Sequence, residues 1–118
     1  MKIVKRSEFL KLPAGTLFAE YEPCVFGCLE IKGDSLSNDW FEQRIVDAID
    51  ANDSGQFADM LFNAEKSGAS LPMNFYCEGR NGAFEPPERL YAVFERQDVE
   101  ALIERLQDAV RQVGKKDG

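Results

Sequence analysis

Three cysteines and a run of carboxylates are the residues in this chain with the most chemical potential. Cys24 and Cys28 stand four positions apart in YEPCVFGC, and Cys77 is the third. Two residues four apart on one strand share a face but lie roughly 13 Å from each other, too far for one metal ion or one disulfide. A structural zinc site wants four ligands, and the chain has no histidine to complete one. A redox pair takes the tighter C-x-x-C spacing. The cysteines therefore read as reduced, small apolar residues packed with Val25, Phe26 and Leu29, and no metal or other cofactor is expected.

The missing histidine also removes Ser-His-Asp and Cys-His nucleophile schemes within the chain. Gly79-Arg80-Asn81-Gly82 lacks the Lys-Ser/Thr of a nucleotide loop, and its Asn-Gly dipeptide suits a tight hairpin. Asp34 with Asp39, and Asp50 with Asp53, are the carboxylate pairs able to hold a hard cation. The stretch from Asp50 to Gly55 has neither the regular oxygen spacing nor the closing Glu of a calcium loop, and a helix cap accounts for Asp53. No residue takes a catalytic role, so the expectation is a protein that is not an enzyme.

The elements that would position these groups follow from hydrophobic period and punctuation. Lys2–Arg6 reads as a short strand and Ser7 as the cap of one helical turn ended by Pro13-Ala14-Gly15. Thr16–Tyr21 and Cys24–Lys32 read as strands, with Gly27 a bulge or a point of close approach. Gly33–Asn38 reads as a polar turn. Trp40–Ile49 fits a strand or a helix, and the short turn before it favours a strand. Gln56–Lys66 is a helix, capped by Asp53 or Ser54 and closed by Gly68. Met73–Cys77 and Leu90–Glu95 read as strands either side of Arg80-Asn81-Gly82. Asp98 to about Val113 is the clearest helix, with Val99, Leu102, Ile103, Leu106 and Val110 as the stripe expected to pack on the sheet. Hairpin-length connections favour antiparallel neighbours. The expected fold is α+β: one domain over 1–114, an antiparallel sheet with two helices on one face, and a frayed tail at 115–118.

Charge narrows the partners. Of 21 acids and 14 bases, nine acids and two bases fall between Glu30 and Glu65, so that segment holds the whole net charge of −7. Such a field repels nucleic acid and membrane surfaces and attracts a partner with a basic surface. Asp34, Asp39, Trp40, Glu42, Asp47 and Asp50 are the expected contact residues, Trp40 as an aromatic anchor beside the acids. No direct nucleic-acid contact and no membrane association are expected, and a homodimer is allowed. No stretch approaches the ~20 apolar residues of a membrane span, and the start has no signal-peptide apolar run, so the expected compartment is cytoplasmic.

The opening KIVKRSEFLKLPAGT, then Tyr21-Glu22-Pro23-Cys24, Ile31-Lys32-Gly33 and the stretch Leu90–Glu95, resemble small uncharacterised proteins of tailed phages and prophages. The resemblance implies a binding protein acting in the cytoplasm of a host bacterium, blocking a defence component as anti-CRISPR proteins do. It brings no catalytic residues with it. One alternative is a sponge that sequesters a nucleotide second messenger at an inter-subunit pocket, with Arg80, Asn81 and Arg89 as its ligand-binding residues. Another is a phage structural or assembly accessory protein.

Overall fold

The computed structural model describes residues 1–79 and 85–117, with side chains as far as Gly114. Arg80, Asn81 and the expected hairpin they belong to lie outside the described residues. The chain runs β1 (Lys2–Lys5), α1 (Arg6–Phe9), β2 (Leu17–Glu22), β3 (Val25–Phe26), β4 (Glu30–Leu36), β5 (Asp39–Arg44), α2 (Ser54–Ser67), β6 (Glu78–Gly79), β7 (Leu90–Val93) and α3 (Arg96–Asp117). The described strands form one antiparallel sheet in the order β1-β7-β2-β4-β5-β6, with β3 paired to β2. This is the α+β class expected.

The sheet closes around a late strand. β7 inserts between β1 and β2, pairing Tyr91 with Val4 on one side and with Glu20 on the other. Its neighbours are therefore set by long-range pairing, which short connections could not foretell. The stretch expected as one strand from Cys24 to Lys32 is broken. Gly27 turns back so that its N–H donates to Glu20 O at 2.8 Å, and a Cβ there would sit 3.2 Å from the same oxygen. Gly33 lies inside β4, not in a turn, because a Cβ would come within 2.8 Å of Phe41 Cβ. The turn is the two-residue Ser37-Asn38, with Ser37 at φ 57°.

One face of the sheet carries the core. Alternation along each strand puts Phe18, Trp40, Tyr91 and Val93 on it. The single turn of α1 swings Phe9 over them, its ring 4.3 Å from Tyr91, 4.6 Å from Phe18 and 5.0 Å from Trp40. That turn starts one residue before Ser7, which is inside α1 and caps nothing.

α2 begins where Asp53 caps it: the Asp53 carboxylate accepts from Gln56 N at 2.7 Å, and the Gln56 amide oxygen accepts from Asn52 N at 2.6 Å. Gly68, in the left-handed conformation at φ 71°, ends it by donating to Ala64 O. Asp53→Ala should cost about 1 kcal/mol in chemical denaturation, because the Gln56 N–H of the first turn then loses its partner. An unchanged midpoint would show that α2 does not melt with the rest of the domain.

The helices do not cover the sheet as expected. No residue of α2 is buried. In α3 Val99 and Leu102 are half-buried, whereas Ile103, Leu106, Val110 and Val113 are 50–73% exposed. The helix also continues through Gly114 to Asp117 where a frayed tail was expected. Its apolar stripe is partly covered at Val99 and Leu102 and open from Ile103 onward. No described helix is long and apolar enough to cross a membrane.

Candidate functional site

The inner face of the sheet changes character along the strands. Two residues beyond Phe18 comes Glu20; two and four beyond Trp40 come Glu42 and Arg44; Glu30 stands directly opposite Phe18 and Arg44. The aromatic core therefore runs into a patch of charge on the same face. Carboxylate oxygens of Glu20, Glu30 and Glu42 lie within 4.8 Å of one another, and Glu30 and Glu42 are only 2% exposed.

Four acids and two guanidiniums make up this patch. Burial pushes Glu30 up to about 8, helped by the charges of Glu42 and Glu20 and a hydrogen bond with Glu42. Burial likewise pushes Glu20 up to about 7, helped by a hydrogen bond with Glu85 and its charge. A carboxyl group that burial keeps protonated can donate to a neighbouring carboxylate. Arg44 Nε lies 3.3 Å from Glu30 Oε1, and Arg89 Nε lies 3.4 Å from Glu85 Oε2. The three glutamates have the spacing to hold a divalent cation, and the Arg44 guanidinium beside Glu30 is the charge that competes with one.

Beside this patch, β5, the loop 45–53, the start of α2 and β6 enclose a cleft of about 440 Å³. Ala48, Ile49 and Phe57 give it apolar walls; Glu42, Asp47, Asp53 and Glu78 carry carboxylates to it, and Arg44 is its one base. The loop is held in place by an antiparallel bridge between Ile49 and Met73, with Asp50 N donating to Pro72 O and Asn74 N to Ala48 O. These bonds use the segment expected to be a strand at Met73–Cys77, which pairs only at Met73.

The six expected contact residues divide. Asp34, Asp47 and Asp50 are exposed. Asp39 is buried and accepts from Trp40 N at 2.7 Å. Trp40 is fully buried in the core with Arg6 stacked 4.9 Å from its ring, so it is no surface anchor. Glu42 belongs to the buried patch and to the cleft. Arg89, expected to face an anion, is instead surrounded by acids: it pairs with Glu22 at 2.7 Å and with Glu85 at 3.4 Å. Cys24, Cys28 and Cys77 are free and exposed rather than in a core: they lie in the β2–β3 turn, between β3 and β4, and just before β6, not on the strands. Glu20, Glu30, Glu85 and Arg44 were not singled out from sequence. Their signal was the two-residue step from Phe18 to Glu20 and from Trp40 to Glu42.

The fold and this cleft define a small α+β domain with an acid-rimmed groove on its sheet. No family model, no curated protein and no solved structure matches the chain.

Proposed function

We propose that this is a non-enzymatic binding protein whose cleft takes a basic segment of a partner protein. The observation that supports it most directly is the cleft itself: apolar walls at Ile49 and Phe57 with the exposed carboxylates of Asp47, Asp53 and Glu78 and a single arginine. A lysine or arginine side chain has the matching form, an aliphatic stem that seeks apolar surface and a charged head that seeks carboxylates. The cleft is built mostly from the segment that carries the chain's excess negative charge, so long-range attraction and local fit favour the same partner. The resemblance to phage accessory proteins favours a partner among the defence components of a bacterial host, with the protein acting as an inhibitor in its cytoplasm.

Fluorescence anisotropy with labelled decapeptides tests the reading. An Arg/Lys-rich peptide should bind saturably, and more weakly as salt rises. Its neutral counterpart should not bind. Asp47→Lys with Glu78→Lys should abolish binding while leaving the melting curve close to that of the parent, since both side chains are exposed. Equal binding of both peptides, or full binding by the double variant, would overturn the proposal.

A further inference from the structure

Glu20, Glu30 and Glu42 come from three neighbouring strands, β2, β4 and β5, too far apart in the sequence to read as one motif. The fold brings a carboxylate oxygen of each within 4.8 Å of the other two, with Glu30 and Glu42 buried and Glu20 half-buried. That separation is at most twice the ~2.4 Å of a calcium–oxygen bond, so one ion can touch all three. Ionised, they carry three negative charges, and Arg44, 3.3 Å from Glu30, sets one positive charge against them. A divalent ion supplies the other two, which matters because a buried carboxylate without a counter-charge is costly. A carboxylate has two oxygens, so Glu30 can serve Arg44 and an ion together.

A second observation on the same face points to a ligand. Tyr91 stands directly opposite Glu20 in the β2–β7 pairing and is fully buried, yet its hydroxyl has no hydrogen-bond partner among the described residues. Phe9 stacks on the ring at 4.3 Å and Phe18 meets it edge-on, so the core holds the ring and leaves the hydroxyl unpaired. That hydroxyl lies within reach of the acids: burial and then the charge of Glu85 raise its pKa, and Glu20 acts the same way against Arg6 and Arg89. An ordered water or an ion is the usual partner of such a buried polar atom. A neutral phenol has a proton to donate, and a hard cation that keeps part of its hydration shell brings a water oxygen to accept it.

We propose that Glu20, Glu30 and Glu42 bind one hard divalent cation, with Tyr91 donating to a water held on it. The donors are all carboxylate oxygens, the chemistry of Ca²⁺, Mg²⁺ or Mn²⁺ rather than of zinc or copper. The ion arrives through the cleft beside β5, since Glu42 and Arg44 stand on its wall. Bound there, it ties β2, β4 and β5 together at the point where the aromatic core gives way to charge. The carboxylate pairs that are close in sequence, Asp34 with Asp39 and Asp50 with Asp53, take no part in it. Nor do the exposed Asp47, Asp53 and Glu78 on which peptide binding rests, so the two proposals stand or fall separately.

Protein stripped with a chelator and titrated with Ca²⁺, Mg²⁺ and Mn²⁺ in separate calorimetric runs tests the site. One ion per chain should bind, and a saturating excess should raise the melting temperature by about 5 °C or more. Glu30→Gln keeps the size of the side chain and should lose both the heat of binding and the melting shift. Glu20→Gln, at the half-buried ligand, should do the same, with far-ultraviolet circular dichroism showing that each variant is folded. Tyr91→Phe keeps the ring and should weaken binding about tenfold, as loss of a group that orients a metal's water does. Asp47→Lys with Glu78→Lys, designed to remove peptide binding, should still take up the ion. No heat and no melting shift with any of the three ions at millimolar concentration would overturn the proposal. Unchanged binding by Glu30→Gln and Glu20→Gln would overturn it too, by placing the ion on the exposed acids. Unchanged affinity in Tyr91→Phe would overturn the part given to its hydroxyl.

Discussion

Phe9→Ala should destabilise the domain by about 3–5 kcal/mol in urea denaturation, the range for removing a large buried aromatic ring. Phe9 is fully buried and is the hub of the core, touching Phe18, Trp40 and Tyr91 at once. It reaches them from a single helical turn, so no other residue of α1 can replace it. A domain of this kind is stable by about 5–15 kcal/mol, so losing that ring removes a large share of the margin. Lys32 Nζ sits 5.8 Å from the Phe9 ring, bonded to Gly33 O and Ser35 Oγ, and burial lowers its pKa. Opening the cavity admits water to that ammonium, which offsets part of the loss. Phe62→Ala on α2 is the control, since that ring is 60% exposed and its removal should change stability by less than about 0.5 kcal/mol. Equal midpoints for the two variants would mean that α1 does not close the core.

How far the sequence could be read depended on whether polar residues point outward. Where they do, expectation and structure agree: α2 starts at its Asp53 cap and stops at Gly68 within two residues of the expected limits. β1, β2 and β7 are also close to where apolar alternation places them. On β4 and β5 a strand was expected, but neither its limits nor its inward face was legible. Glu30-Ile31-Lys32 and Trp40-Phe41-Glu42-Gln43-Arg44 alternate as strands do, but their inward set is mixed, one aromatic with acids and bases. A pattern argument assigns acids to the surface, and so Glu42 and Asp39 were counted as contact residues. Only the neighbours from other strands, Arg44 against Glu30 and Glu20 against Glu85, show how such charge is tolerated inside. α3 fails for the opposite reason. Its period was legible, but a stripe says only that something apolar covers it. Whether that cover is this sheet or another molecule depends on where β7 ends and in which direction the helix leaves it.

The buried acid patch should make the protein more stable in mild acid than in mild base. Glu30 and Glu20 titrate near 8 and 7 in the fold, against an ordinary 4.5. Between those values the folded chain holds protons that the unfolded chain releases. Stability therefore falls as pH rises from about 4.5 to 8, and the contribution is fully present below 4.5. A tenfold change in proton affinity is worth about 1.4 kcal/mol, and because the two groups share one set of charges their joint effect is on the order of 3 kcal/mol. Other groups tilt the curve the other way. Asp98, held low by the Met1 ammonium at 2.6 Å, adds stability that is lost as pH falls through its depressed pKa. Comparison with Glu30→Gln separates the contributions. Glutamine keeps the size of Glu30 and can still donate to Glu42, but it has no proton to lose. At pH 8 the variant should be more stable than the parent by about 1–3 kcal/mol, and at pH 5 the two should lie within about 1 kcal/mol of each other. Denaturant midpoints at the two pH values decide it. A variant less stable than the parent at pH 8 would mean that Glu30 is ionised and held by Arg44 as a simple ion pair, with no shared proton in the patch.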